Sequence, residues 1–472
     1  MKENYIDFLN SLKNKKIMFC GIGRSNLPLI DVFTDNGINA IVYDSKPKDK
    51  FDKDIIQKLE NNPLVTLKLA DESVWDGFVD IIIRTPGMHF LSSKINNARK
   101  NGTIVTSEME IFFDFCPCPI IGITGSDGKT TVSTLISEML KAQGKTVHLG
   151  GNIGTPLLPK ISKISKHDIV VVELSSFQLI SMRKSPEISV VTNISPNHLD
   201  VHKDMNEYVE AKRQIFLHQN AFSRTILNFD NKETANMEDL VRGKTIFFSR
   251  KENLENKPCG VWIDKNKNIV YSSIENYKHK NQIIMNVSDI KIPGDHNVEN
   301  YLAAIAAVHD IVTPENIKKV ANSFAGVKHR IEFVREVNGV SYYNDSIASS
   351  PNRTISGTLS LFNKKIVLIA GGHDKKIPFD SLAKKITEKV STLILMGQTS
   401  EKIMQEIEKL PENKVKNLKI IKVNSMEEAI ENANKIAKSG DIVVLSPAST
   451  SFDLYKDFEE RGEHFKSLVN SI

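Results

Sequence analysis

Short apolar runs alternate with helical patterns along almost the whole chain. KIMFCGIG, AIVYD, VDIIIRTPG, PIIGITG, DIVVVELSS, ISVVTNIS, KIVLIAGG, STLILMG and DIVVLSPA are each closed by turn residues. Their near-continuous hydrophobicity is that of strands covered on both faces, which belongs to parallel sheets rather than to sheets with one wet face. The rhythm predicts repeated strand–helix–strand units and an α/β fold. Two interruptions mark boundaries. At Cys116–Pro119 two prolines precede a new strand, and near Ala325–Lys328 a small-residue helix over Tyr301–Val308 gives way to a segment rich in Val and Tyr. These breaks divide the chain into 1–117, 118–325 and 326–472. Between about Thr225 and Ile292 the pattern turns to short strands and polar turns, an expected excursion inside the middle domain. There is no internal repeat and no low-complexity segment.

The sharpest chemical signal lies at Ile120–Thr131, IIGITGSDGKTT, where an apolar strand enters a Gly-containing loop and a helix is expected to begin near Thr130. In such a loop the backbone of Gly125, Ser126, Asp127 and Gly128 points N–H groups at phosphate oxygens. Lys129 then reaches the terminal phosphates, and the Thr130 hydroxyl, next to Thr131, ligates Mg²⁺. A strict Walker A would have Gly where Ile123 stands; the core Thr-Gly-x-x-Gly-Lys-Thr is intact. Some 40 residues on, DIVVVELSSFQL delivers Glu173 at a strand end, where a carboxylate can reach a Mg²⁺ beside the loop. Thr192–His202 follows another strand. Its His198 and His202 have i, i+4 spacing, but Pro196 and the missing Glu of HExxH favour a loop histidine near phosphate or Mg²⁺ over zinc. Tyr208–Phe216 reads as an amphipathic helix, and by periodicity alone Lys212 is a surface residue. Near the N-terminus, Gly21-Ile-Gly23-Arg24-Ser25-Asn26 follows a strand and Asp44 closes the next. This is a partial dinucleotide fingerprint with Asn26 in place of the third glycine, open both to a nucleotide-like ligand and to a tight structural turn.

Composition narrows the class. The chain has 472 residues, of which 40% are hydrophobic and 25% charged, so it is neither fibrous nor wholly disordered. Basic residues number 62 against 57 acidic, a net charge of +5, and no Lys/Arg block is long enough for a nucleic-acid footprint. The first residues, MKENYIDFLNSLKNKK, lack an apolar core and no stretch approaches the roughly 18 apolar residues of a membrane span. The expected location is the cytoplasm, which also suits four scattered cysteines, Cys20, Cys116, Cys118 and Cys259. Cys116-Pro-Cys118-Pro has no second cysteine pair to complete a metal site and reads as a linker.

Taken together, TGSDGKTT, ELSSFQL, TNISPNHLD, YVEAKRQIF, GDHNVEN, KHRIE, NDSIASSP and SPASTSFDLYKDFEERGEHF resemble the Mur ligases, the ATP-dependent amino-acid-adding enzymes of peptidoglycan synthesis, and within them the branch that adds D-glutamate. The resemblance runs from about Gly21 to Phe465. It implies three domains: a Rossmann-like N-terminal domain for the uridine diphosphate part of the substrate, a central P-loop ATPase domain, and a Rossmann-like C-terminal domain for the amino acid. The substrates it implies are UDP-N-acetylmuramoyl-L-alanine, D-glutamate and ATP, with two Mg²⁺ ions and a carbamate on Lys212, in a monomer.

The resemblance also assigns residues. Lys129, His198, Lys212 and Lys375 fall on catalytic positions. Thr130 and Glu173 fall on ligands of one Mg²⁺, and His198 with the Lys212 carbamate on ligands of the second. Asn297, Asn300, Arg330 and Asp345 join the P-loop near ATP. Gly21, Gly23, Arg24, Ser25, Asp44, Ser45, Thr85, Pro86, Gly87, Asn152 and His198 fall near the UDP-linked substrate, and Ser349, Lys375, Ser451 and Phe458 near D-glutamate. One departure stands out. Many relatives carry a Lys where this chain has Ile347, so a cation near the site is expected from elsewhere, with Arg353 and Lys376 the nearest candidates in sequence.

Overall fold

The computed structural model describes residues 2–196, 201–275, 278–375 and 377–472. The chain forms two compact units: Met1–Asp289 with Val298–Val320, and Ile290–Asn297 with Ala321–Ile472. The fold is α/β with three parallel-rich sheets, two in the first unit and one in the second.

The first sheet has five parallel strands in the order Val65–Leu69, Ala40–Asp44, Ile17–Cys20, Ile81–Arg84, Ile104–Thr106. The strand order reverses between Ile17–Cys20 and Ile81–Arg84, so the loops at Gly21 and Thr85 leave neighbouring strand ends at a topological switch point, where α/β sheets bind ligands.

The second sheet has nine strands. Ile120–Thr124 lies between Ile188–Val191 and Ile169–Glu173, and Val147–Gly151 flanks the latter, all parallel. Their shared direction sets Gly125, Thr192, Glu173 and Asn152 along one sheet end. The expected excursion over Thr225–Ile292 is instead the far half of this same sheet. Arg224–Asn228, Lys244–Phe248 and Cys259–Ile263 continue it in parallel, and Asn268–Glu275 and Lys278–Asn286 close it as an antiparallel hairpin. The pattern looked unlike the rest because the last strand is an edge. It begins Lys-His-Lys-Asn-Gln, mostly exposed, and charged side chains on an edge resist pairing with other chains.

One core runs through both sheets of the first unit, from Phe19, Phe33 and Phe112 to Val170, Val172, Tyr208 and Ile215. Burial of each such side chain stabilises the fold by roughly 1.5–3 kcal/mol. Buried Glu108 ties the same two layers, accepting the backbone N–H groups of Leu157 and Leu158 at 3.1 and 2.8 Å.

In the second unit the antiparallel pair Glu332–Val337 and Val340–Asn344 leads into the parallel strands Ile442–Leu445, Ile366–Ala370, Val390–Leu395 and Lys419–Lys422. Apolar clusters cover both faces, around Leu368 and Leu393 on one side and Ile369 and Ile394 on the other. Among the described residues, no helix is long and apolar enough to cross a membrane.

Candidate active site

The loop Gly125–Gly128 joins the buried strand Ile120–Thr124 to the helix Lys129–Ala142. Gly128 caps that helix in the left-handed region at φ 78°, with Asn300 so close that any side chain there would collide with its amide oxygen. The neighbouring strand end holds the loop in shape. Thr192 Oγ1 donates to Asp127 O at 2.6 Å, Asn193 Oδ1 accepts the Asp127 N–H at 3.0 Å, and Ser126 Oγ meets the Tyr208 hydroxyl at 2.9 Å. The first turn of that helix presents its N–H groups toward the loop, the arrangement that attracts phosphate.

Two lysines converge on one atom. Lys129 Nζ and Lys212 Nζ both donate to the Gly125 carbonyl oxygen, at 2.9 and 2.8 Å, and Lys129 also donates to Ser126 O at 2.8 Å. Lys212 is only 2% exposed, against the surface placement that periodicity gave it. Burial, and then the Lys129 charge beside it, hold its amine well below the usual lysine range. Across the loop Thr130 Oγ1 donates to Glu173 Oε2 at 2.8 Å, while Asn152 Nδ2 donates to Glu173 Oε1 at 2.8 Å. Hydroxyl and carboxylate oxygens are the donors that Mg²⁺ takes, so this pair fits one such ion.

The Gly21 loop is pinned by Asp44, the acid that closes the next strand. Asp44 Oδ2 accepts the Ile22 N–H at 2.9 Å and Oδ1 the Lys46 N–H at 3.1 Å. Asn26, where a third glycine would stand, is fully buried and donates to the carbonyls of Cys20, Gly21 and Ile83, locking the loop to two strands. Gly23 follows on the same loop and Ser45 is exposed beside Asp44. Thr85 packs against Gly21 and opens the turn through Pro86 and Gly87, Met88 N donating to Thr85 O at 3.0 Å. Ser25 and Pro86 line a small cleft with Arg84 and Gln178. Arg24 donates to the Asn152 carbonyl at 3.0 Å, bringing this loop to the residue that holds Glu173.

In the second unit Asp345 is enclosed. Its Oδ2 accepts Thr358 Oγ1 at 2.7 Å and Ser446 Oγ at 3.0 Å, its Oδ1 accepts the Ile331 N–H at 3.3 Å, and burial pushes its carboxyl up to about 6. Arg330 sits in a tight turn between His329 and Ile331, both with positive φ. Arg353 reaches the Ile347 carbonyl at 3.4 Å, and burial together with the Arg330 charge lowers its pKa. Ser451 is buried, Phe458 opens the helix Phe458–Asn470 with its ring edge-on to His329, and Ser349 lies on the loop after Ile347. Lys375 is exposed on the segment after His373, which bridges to Thr450. Asn297 donates to Pro293 O at 2.6 Å. His198 and Lys376 lie outside the described residues.

Residues 123–308 match the Mur ligase middle domain and residues 329–449 the Mur ligase glutamate ligase domain. The UDP-N-acetylmuramoylalanine–D-glutamate ligase of Acetivibrio thermocellus is 50% identical over 468 residues, covering 99% of this chain and 98% of its own. The enzyme of the same description from Clostridium acetobutylicum is 46% identical, with both chains covered in full. The chain belongs to the Mur ligase family. Solved structures agree on the fold: UDP-N-acetylmuramate–alanine ligase from Thermotoga maritima superposes with a TM-score of 0.53 at 18% identity, covering 97% of this chain and 100% of that one. A UDP-N-acetylmuramoyl-L-alanyl-D-glutamate–2,6-diaminopimelate ligase gives 0.52 at 16% identity, covering 96% and 92%.

Three residues that shape the candidate site escaped the sequence reading. Tyr208 props the phosphate loop and lies 4.6 Å from the Lys212 ammonium. Its spacing was a usable signal: Tyr208, Ala211, Lys212 and Ile215 fall at i, i+3, i+4 and i+7, so Lys212 interrupts an apolar stripe. Asn193, next to the quoted Thr192, was the second. Arg461, in the FEERG segment, is the third. It is buried and donates to Ser346 O at 2.9 Å and Ser449 O at 3.2 Å, joining two loops that carry candidate amino-acid contacts.

Proposed function

We propose that this chain joins D-glutamate to UDP-N-acetylmuramoyl-L-alanine, with ATP converted to ADP and phosphate, in the synthesis of peptidoglycan precursors. The observation that carries the reading is the convergence of Lys129 and Lys212 on Gly125 O beside the Thr130–Glu173 pair. The Lys129 cation at the N-terminus of a helix forms a seat for polyphosphate, and a neutralised γ-phosphoryl group can accept attack by a carboxylate that would otherwise be repelled. The L-alanyl carboxylate takes the phosphoryl group, the D-glutamate amine attacks the acyl phosphate, and the tetrahedral adduct expels phosphate.

Thr130 and Glu173 would hold one Mg²⁺, and His198 with a modified Lys212 the second; bound there, the ions supply charge neutralisation at the transferring phosphoryl group. The state of Lys212 supports its modification. Burial and the Lys129 charge disfavour the ammonium form of Lys212, and in its neutral form the amine has a free lone pair that can add to CO₂, forming an N–C bond and releasing one proton to leave a carbamate anion. Lys375, Ser349, Ser451 and Phe458 would take the amino acid, and the Gly21 and Thr85 loops the uridine diphosphate.

The test is to incubate the purified protein with ATP, Mg²⁺, UDP-N-acetylmuramoyl-L-alanine and single amino acids, and to follow phosphate release. Release with D-glutamate alone is expected. Equal release with L-glutamate or L-lysine, or none with any, overturns the assignment.

A further inference from the structure

A side-chain chain outside the phosphate seat crosses between the two sheets of the first unit. His202 has a fully buried side chain, stacked on Phe177 at 5.0 Å and 3°. Its Nε2 meets Ser176 Oγ at 2.8 Å and its Nδ1 meets Glu207 Oε1 at 2.9 Å. The same carboxylate oxygen meets His89 Nε2 at 3.2 Å, and His89 follows closely on the Thr85–Gly87 turn of the first sheet.

Protons can be assigned from the partners. Although burial works against it, the His202 hydrogen bond and the Lys203 N–H hold the Glu207 carboxyl below its ordinary range, so it only accepts. The Leu91 N–H donates to His89 Nδ1 at 3.3 Å, which leaves the ring proton on Nε2, facing Glu207. The three groups lie within 4.8 Å of one another, close enough for a metal ion, but that proton occupies the position where His89 would offer a lone pair. The cluster is therefore a hydrogen-bonded clamp.

Glu207 sits in the first turn of the helix Met205–Leu217, next to Tyr208, whose hydroxyl meets Ser126 of the phosphate loop, and one and a half turns before Lys212. On the other side Ser176 follows Glu173 by three residues. We propose that Glu207, clamped between His202 and His89, is a positioning residue that couples the Thr85–Gly87 loop to the helix carrying Lys212. The inference rests on the function proposed above. It adds that binding at the first sheet and alignment at the phosphate seat share a single carboxylate, and that neither histidine touches substrate.

The test uses full-length wild type, His89→Ala, His89→Gln, Glu207→Gln and the His89→Ala/Glu207→Gln double variant. It measures the calorimetric Kd for UDP-N-acetylmuramoyl-L-alanine, KM for ATP, kcat and Tm. His89→Ala and Glu207→Gln should each weaken the UDP-linked substrate by about fivefold, with KM for ATP shifted less than twofold and the double variant no worse than either single one. His89→Gln, whose amide can still donate to Glu207, should recover most of the loss, so the clamp is testable even if Glu207→Gln fails to fold. Multiplying effects in the double variant, equal shifts for both substrates, or a fall in Tm alone would overturn it. So would a Zn²⁺-dependent rise in Tm seen in wild type and lost in Glu207→Gln, which would make the cluster a metal site. Wild-type phosphate release with D-glutamate tests the function separately, since the clamp can fail in an active enzyme.

Discussion

In the first unit two lysine side chains meet at one backbone carbonyl, whereas in the second a carboxylate is enclosed by donors of its own fold. Lys129 and Lys212 repel each other across Gly125 O. Asp345 is satisfied by Thr358, Ser446 and the Ile331 N–H. Burying two lysine side chains against one carbonyl disfavours the charged form of one of them, a perturbation that chemistry at a site can use and a scaffold does not need. Asp345 is instead held by three donors of its own unit. The comparable crowding in the second unit is at Arg353, whose charged form is disfavoured by burial and then by the Arg330 charge.

The sharpest way to break this contrast is Lys212→Ala. If the pair serves the proposed chemistry, turnover should fall by about 10²–10³ or more while Tm stays near wild type, and acetate at high concentration should restore part of it by filling the position that the proposed carbamate would leave. Full activity in the variant would remove the lysine pair from the mechanism.

Asp345 should answer in stability. Its carboxyl is raised from 3.8 to about 6 by burial, so between those values the unfolded chain ionises first and the folded state is penalised. Wild type should therefore lose roughly 3 kcal/mol relative to Asp345→Asn as pH rises from about 4 to about 6, with the difference level above that. Urea unfolding of both proteins across this range checks it, and a difference that grows in favour of wild type with rising pH would contradict the sign.

Arg353→Ala tests the arginine pair. Loss of a charge-assisted contact costs about 1.5–3 kcal/mol, so kcat/KM should drop about tenfold or more, and Ile347→Lys should add little to wild type. Wild-type kinetics would remove Arg353 as the replacement for the cation missing at Ile347. The smallest effect is expected at exposed Lys375. Lys375→Ala should raise KM for D-glutamate about fivefold, the range of a solvent-screened ion pair, with KM for ATP changed much less. Equal shifts would remove Lys375 from amino-acid selection.

What the sequence carried by itself is local. Strands such as Ile120–Thr124 and Ile366–Ala370 are buried along their whole length, so they are continuous apolar runs that one segment suffices to reveal. The phosphate loop was legible for a similar reason: its glycines, Lys129 and Thr130 act within a few residues of each other. The region ending in the edge strand Lys278–Asn286 read only as short strands and polar turns, because most of that strand faces water and its pattern does not tell which sheet it joins.

Only the tertiary structure decided where distant polar groups meet. Lys212 reaches Gly125 across 87 residues, and Glu207 reaches His89 across 118. Neither separation leaves a trace in local periodicity beyond a lysine interrupting an apolar stripe. Whether such a group is solvated, satisfied or set against a like charge depends on which strand ends the topology places side by side, and the free energy of a buried charge depends on those neighbours far more than on its place in the chain.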